Sequence, residues 1–427
     1  MRSGVVAFKR QSGRSAEVTR VTTTHQPKAA QPNPPRATGL ARIRLGGELR
    51  STSDLTVVLL YAVTLLLVGI GLIMVLSSSS ITSYLGDEGF FGGFWRQATY
   101  ALIGVPLMMI AASMPIRFWK RWAWLLLCLG LALQMLVFTP LGYGLYGNRN
   151  WIRIGSFTAQ PSEMLKLALI VWIGAILLKK EPLFGQKRHE LIPVIFPGAV
   201  VALGTVLLGR DMGTALMMAG AVMGAVYFGG MSLRSIGIVI AGGLVGVLFF
   251  LLSSENRMQR LLGLADGHSD YNGLGWQPLH GLWALAGGGL FGVGIGGSKA
   301  KWSWLPAADN DYIFAIIGEE LGLIGAVLVI ALYVVLALVM LRAIGRARDR
   351  FGKAVIGGIM VWIVGQAFVN IGVVIGVLPV LGVPLPLISA GGTALIACLL
   401  AVGVVISIAR DADAYQAELA HEKEVRR

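Results

Sequence analysis

The chain predicts an all-α, polytopic integral membrane protein, and three observations carry that prediction. Apolar residues fill 55% of the 427 positions and charged residues only 14%, with a mean hydropathy of +0.72, far beyond ordinary soluble domains. The apolar residues fall in uninterrupted runs long enough for a hydrocarbon core of about 30 Å. Lysine and arginine concentrate in alternate connections between those runs, the asymmetry that sets membrane orientation.

Ten runs qualify as transmembrane helices: 54–78, 95–113, 121–140, 162–179, 190–208, 212–230, 233–253, 312–341, 354–378 and 387–409. The fifth and sixth are parted only by Leu208-Gly209-Arg210-Asp211, a charged turn suited to the membrane surface. With the N-terminus inside, 27 of the 36 lysines and arginines fall on the cytoplasmic side. Both termini are therefore expected in the cytoplasm, and a large extracytoplasmic loop, 254–311, is expected between helices 7 and 8. The net charge of +14 is then mainly a topology signal. It also suits anionic inner-leaflet lipids, and its distribution marks no nucleic-acid surface, so no nucleic-acid partner is expected.

Three regions follow: a basic cytoplasmic arm at 1–53, a transmembrane domain at 54–409, and a cytoplasmic tail at 410–427. The arm is rich in Arg, Thr, Gln and Pro without the apolar core of a cleavable signal, so it reads as disordered, with the first span as signal anchor. Cys128 and Cys398 both lie inside apolar runs, which points to neither a disulfide framework nor a zinc site.

Polar chemistry collects on the outward side. Gly147-Asn148-Arg149-Asn150-Trp151-Ile152-Arg153 precedes Gln160-Pro161-Ser162-Glu163, and Lys166 lies three residues beyond Glu163. Pro161 suits a first helical turn, and residues three apart share a helix face. A local ion pair is the simplest reading, although ionisable groups inside a span are costly enough to mark function.

The 254–311 loop opens with Arg257 and Arg260 and nears its end at Lys299 and Lys301, cations suited to an anionic head group. Between them, residues 281–297 are apolar but too short and glycine-rich to span, which leaves an interfacial or re-entrant segment or a flexible hinge. Asp309 and Asp311 stand where a carboxylate caps the next helix. Asp311, directly before Tyr312-Ile313-Phe314, has the drier setting, which raises a carboxyl's proton affinity and makes it a candidate general base. Asp309-Asn310-Asp311 also spells Asp-x-Asp, a metal-binding pattern of some nucleotide-sugar transferases. A divalent cation stays open as a cofactor, and no motif commits to an ion. An outward loop matches a lipid-linked sugar diphosphate better than a cytoplasmic nucleotide sugar.

These segments, taken in order, resemble the SEDS family (shape, elongation, division and sporulation). The matching stretches are Trp151-Ile152 with Gln160-Pro161-Ser162-Glu163 and Lys166, Asp211-x-Gly213-Thr214, Gly275-x-Gln277 with the glycine series, and Leu305-Pro306 through Asp311-Tyr312-Ile313-Phe314. Gly318-Glu319-Glu320-Leu321-Gly322 follows, and then Asn370-Ile371-Gly372 through Leu378-Pro379 to Pro384-Leu385-Pro386-Leu387-Ile388-Ser389 and Gly391-Gly392-Thr393. The Glu319-Glu320 run tilts the match toward the division branch rather than the elongation branch.

The resemblance implies a peptidoglycan glycosyltransferase that polymerises lipid II into β-1,4-linked glycan strands, with inversion, at the outer face of the bacterial plasma membrane and at the division septum. It implies as partners a class B penicillin-binding transpeptidase and other divisome membrane proteins. Asp311 matches the family's essential aspartate. Trp151, Glu163, Lys166, Arg210, Arg257, Arg260, Gln277, Lys299 and Ser389 are the candidate substrate-binding residues, with Glu163 orienting Lys166. The chain departs from the family pattern at Ala307, Asp309, Asn310 and Tyr312, and the arginine usual just before the tryptophan is displaced to Arg149. Three alternatives stand beside this reading: a lipid II flippase using Glu319 and Glu320, an elongation-type polymerase, and a catalytically silent divisome scaffold. The proline- and glycine-rich stretch 370–393 breaks the helical pattern in the way transporters also use.

Overall fold

Long apolar runs with no water to satisfy their backbone can only close as helices, and the architecture follows from that constraint. The computed structural model describes residues 52–145, 148–155, 157–183, 195–252, 273, 275–302 and 304–426. The basic arm, with Arg257 and Arg260, lies outside the described residues. A helix stands at each of the ten predicted positions: α1 Thr52–Leu85, α2 Gly92–Ser113, α3 Ile116–Met135, α4 Pro161–Lys180, α5 Val200–Leu208, α6 Met212–Phe228 and α7 Leu233–Leu252 come first. The eighth predicted run is the 34-residue α9, Ile313–Arg346. The ninth is α10, Arg350–Met360, joined through a π-helical turn, Val361–Gly365, to α11, Gln366–Val374, and the tenth is α12, Thr393–Val425. An additional short helix, α8, Trp276–Gly288, lies in the predicted loop.

Six of these helices, counted over the described residues, are long and apolar enough to cross a membrane, with α10 and α11 taken as one. That is fewer than the ten expected. Over the described residues, helices Pro197–Leu208 and Met212–Phe228 are shorter apolar pieces, separated by the turn at Gly209-Arg210. The all-α expectation also needs correction. Residues 142–159 form a three-stranded antiparallel sheet, β1 Gly142–Leu145, β2 Asn148–Ile154 and β3 Phe157–Ala159, with Tyr143 opposite Trp151 and Ile152 opposite Ala159. The last helix runs unbroken to Val425, so residues 410–425 extend α12, where Arg346 pairs with Asp413 at 2.8 Å.

Helices α4, α10–α11 and α12 form the centre: their apolar windows are 83%, 72% and 89% buried, as expected of helices apolar on every side. Helices α1, α3 and α9 keep leucines, isoleucines and tryptophans exposed, Leu66, Trp124 and Ile324 among them, on faces suited to lipid. Small residues bring backbones together. At Gly403 a Cβ would lie 2.5 Å from the Met108 carbonyl, so only glycine permits this crossing of α2 and α12.

The connections sort to two ends. At one, the hairpin, the 209–211 turn, the 304–312 turn and the 375–392 segment touch through Arg149 N to Gly209 O (2.9 Å) and Ala390 N to Asp309 O (2.9 Å). At the other, Arg350 pairs with Glu181 at 2.9 Å and donates to Gly230 O at 3.1 Å. The connections predicted to face outward are those gathered at the first end.

Candidate active site

Three consecutive carbonyls fix the turn that carries the two aspartates. Asp309 O accepts from Ala390 N at 2.9 Å, Asn310 O from Ser389 Oγ at 2.6 Å, and Asp311 O from Asn370 Nδ2 at 2.7 Å. Every donor comes from the 370–390 stretch, so the broken helix predicted there is the cradle of the aspartate turn. Its backbone bends sharply at Gly382 (φ +66), whose Cβ position would lie 3.7 Å from Asp311 Oδ2. Ala307 and Leu387 hold left-handed conformations in the same loops (φ 54 and 68), a strain concentrated at functional sites.

Neither aspartate caps α9, whose N-cap, Tyr312, makes no side-chain cap hydrogen bond. The Asp311 carboxyl is instead set against protein, with Oδ1 buried and lacking a hydrogen-bond partner among the described residues. Burial first, and the charges of Asp309 and Asp211 second, push its pKa up to about 6. Burial also raises Asp309, partly offset by its own backbone hydrogen bond and by the Arg96 guanidinium. Asp211 accepts from Asn150 Nδ2 at 2.7 Å, from Gln160 Nε2 at 3.1 Å and from Thr214 N at 3.0 Å, as the N-cap of α6. Its charge is spoken for, and it acts on Asp311 only through its field.

Next to this turn, α2 and the hairpin enclose a cavity of about 600 Å³ lined by Glu88, Arg96, Thr99, Tyr100, Arg153, Gly155 and Thr158. Arg96 pairs with Glu88, and the Arg153 guanidinium lies 3.8 Å from the centre of the Tyr143 ring. Gln97, one residue on from Arg96, donates to Ser389 O at 2.9 Å, and Tyr100 packs on Gly392. These contacts join the cavity wall to the cradle of the aspartates. Two guanidiniums in a half-open cavity suit a phosphate or diphosphate. Among the described residues no three His, Cys, Asp or Glu side chains gather closely enough to hold a metal ion.

The predicted residues divide. Lys166 is 1% exposed and forms the expected i,i+3 ion pair with Glu163 at 2.9 Å; it also reaches Gln366 Oε1 at 3.3 Å and lies over the Trp362 ring. It is locked inside the bundle rather than presented to the cavity. Ser389 faces Asn310 O and accepts from Leu385 N at 2.8 Å, a structural contact rather than an open one. Gln277 donates to Pro306 O at 2.9 Å, which ties α8 to the strand of chain leading to the aspartates. Trp151 is half-buried in β2, Lys299 is exposed, and Arg210 is exposed in a left-handed turn (φ 63). Arg96, Arg153, Asp211 and Asn370 surround the site without having been among the candidates. Arg153, Asp211 and Asn370 stood in the quoted segments, whereas Arg96 had no signal.

The glycine stretch is tied to α9, Val293 N donating to Glu319 O at 3.0 Å and Gly294 N to Glu320 O at 3.1 Å. Glu319 accepts from Lys299 N at 2.9 Å, from Ala300 N at 3.4 Å and from the Ser298 hydroxyl. Glu320 accepts from Ser77 Oγ at 2.6 Å and Ser298 N at 3.3 Å, and Lys301 Nζ lies 3.6 Å away. The loop's amides thus bind a break in α9 at Gly322 (φ +68).

The family model describing the FtsW, RodA and SpoVE cell cycle proteins matches residues 57–414. The chain belongs to this family. It is 37% identical over 353 residues to the probable peptidoglycan glycosyltransferase FtsW of Mycobacterium tuberculosis, covering 82% of this chain and 67% of that one. Stage V sporulation protein E of Bacillus subtilis is 36% identical over 356 residues, 82% of this chain and 96% of its own. Two solved structures share the fold. The rod shape determining protein RodA of Thermus thermophilus matches with a TM-score of 0.61 at 23% identity, over 82% of this chain and 96% of that one. A chain of a peptidoglycan synthase complex matches with a TM-score of 0.68 at 24% identity, over 83% and 97%. The FtsW/RodA/SpoVE assignment is the one to which the motifs at 151–166, 305–322 and 370–393 pointed.

Proposed function

We propose that this chain is a peptidoglycan glycosyltransferase that polymerises lipid II during septal wall synthesis, with Asp311 as general base. Kinship with proteins named FtsW supports the activity and the division role. The single observation that carries the base assignment is the buried Asp311 carboxyl, unpartnered at Oδ1 and raised to about 6, beside a cavity holding Arg96 and Arg153. A base with a pKa near the working pH is ionised yet proton-seeking.

In the reaction, Asp311 takes the proton of the acceptor's GlcNAc 4-hydroxyl. That oxygen attacks the donor's anomeric carbon from the face opposite the diphosphate, the carbon–oxygen bond to undecaprenyl diphosphate breaks, and the α-linked donor becomes a β-1,4 linkage. Charge builds on the departing diphosphate, where Arg96 and Arg153 are placed to meet it. Interactions stronger in the transition state than in the ground state are those that accelerate the step. The membrane orientation follows the lysine and arginine distribution, with both termini inside and the site outside. By family resemblance the partner is a class B penicillin-binding transpeptidase.

The test is purified protein with its transpeptidase partner, given labelled lipid II, with products separated by chain length. Asp311→Asn is expected to lose about 10²- to 10⁴-fold in rate, and undiminished polymer from that variant would sink the assignment. Arg96→Ala and Arg153→Ala should each lower kcat/KM by about tenfold to a hundredfold, as lost charge-assisted hydrogen bonds do.

A further inference from the structure

From the three carbonyls that anchor the aspartate turn, we infer that Asn370 and Ser389 are positioning residues, which aim the Asp311 carboxyl by holding the backbone on which it rides. The inference rests on the base reading of Asp311 and adds a requirement to it.

Asn370 lies on α11 and is 1% exposed. An asparagine amide has two N–H donors, and here they go to two different strands of chain: Asp311 O at 2.7 Å and Val383 O at 2.8 Å. One side chain therefore locks the carbonyl of the acidic residue to the segment whose Gly382 abuts its carboxyl. Ser389 works one residue earlier, donating to Asn310 O at 2.6 Å while accepting from Leu385 N at 2.8 Å. It is 4% exposed. Each side chain gives a donor to a main-chain carbonyl of the turn, and both act on the acid from behind. Neither Asp309 nor Asp311 caps the helix that follows, so α9 itself gives the two carboxylates no side-chain anchor. A misplacement of about 1 Å at such a group costs roughly 10²-fold.

The charged groups acting on the carboxyls of this turn are Asp309 on the turn itself, Asp211 at the start of α6 and Arg96 on α2. None is altered by substituting Asn370 or Ser389, so any change in titration reports the changed seat of Asp311.

The experiment measures polymerisation by the full-length protein with its transpeptidase partner, across a pH series and several lipid II concentrations, for Asn370→Ala, Ser389→Ala and Asp311→Asn. The folded fraction is measured for each from its thermal transition in detergent. Per folded molecule, Asn370→Ala should lose about 10²-fold in kcat with KM within about twofold, and its acid-limb midpoint should fall as water reaches the carboxyl. Ser389→Ala should move in the same direction by less. A risen KM with an unmoved midpoint would make these residues substrate contacts and overturn the proposal. So would a normal rate per folded molecule, or the absence of folded protein in both variants, which would assign them to stability alone. The two layers separate cleanly: an inactive Asp311→Asn beside a normal Asn370→Ala removes the brace and leaves the base, whereas an active Asp311→Asn removes the base itself.

Discussion

Two acid pairs bracket the start of α9, and they are treated in opposite ways. Glu319 and Glu320 are more buried than the aspartates, yet they are surrounded by donors: two serine hydroxyls, the amides of Ser298, Lys299 and Ala300, and the Lys301 ammonium. Asp309 and Asp311 sit on a turn whose donors from the 370–390 stretch go to the carbonyls of residues 309–311. The comparison separates structure from chemistry. A buried pair whose oxygens reach donors along a whole loop holds that loop in place, with only Glu320 Oε2 lacking a partner among the described residues, while a carboxyl whose neighbouring donors go to the backbone is a reservoir of reactivity.

The largest effect that would break this contrast is on folding. Glu320→Gln leaves Lys301 buried without its counter-charge, a change that typically costs about 3–5 kcal/mol. The thermal transition in detergent should fall steeply, while polymerisation per folded molecule falls far less than in Asp311→Asn. If Glu320→Gln folds normally and stops polymerisation, the pair belongs to the reaction and the contrast fails. Glu319 and Glu320 were also the residues on which a flippase reading would rest, and both are engaged in holding the 293–301 loop.

A smaller effect sharpens the aspartate side. Asp311 is raised by burial first and by Asp309 second. Asp309→Asn removes the like charge and keeps the burial, so the midpoint of the acid limb should drop below about 6 while staying above the ordinary carboxylate value of about 3.9. As the proposed base, Asp311 must be ionised to act, so the variant should outperform the native chain on the acid side of that midpoint and match it above. A midpoint that rises would mean that the two carboxylates share a proton rather than repel.

How much of this was legible in sequence depends on how local each signal is. The apolar runs located the helices because hydropathy acts over a few turns. Glu163 and Lys166 were readable as a pair because i,i+3 spacing fixes their distance, although their burial beneath Gln366 and Trp362 depends on a helix two hundred residues away. The sheet left a trace in the aromatic and β-branched residues flanking Gly147-Asn148, a pairing pattern that membrane-scale hydropathy hides. The pairing of Arg96 with Arg153 left none: one stands near the start of a helix, the other on a strand, and only the packing of α2 against the hairpin brings them to one cavity. Asp311 drew the base proposal from sequence because both its motif and its place at the membrane entry point the same way.

The smallest expected effect concerns the stability of the site itself. The Asp311 carboxyl has its pKa raised from 3.8 to about 6 on folding. Between those values the folded chain keeps a proton that the unfolded chain releases, so this group's contribution to stability falls as pH rises through that window. Above about 6 the penalty for the desolvated charge is complete. Asparagine carries no charge at any pH, so Asp311→Asn should be more stable than the native chain at about pH 8, by on the order of 1 kcal/mol, and nearly equal to it at about pH 4. Thermal transitions of both proteins at the two pH values would read this directly. A destabilised variant at the higher pH would mean that the carboxylate is satisfied in the folded state, as that of Glu319 is, and the difference between the two acid pairs would then lie in position alone.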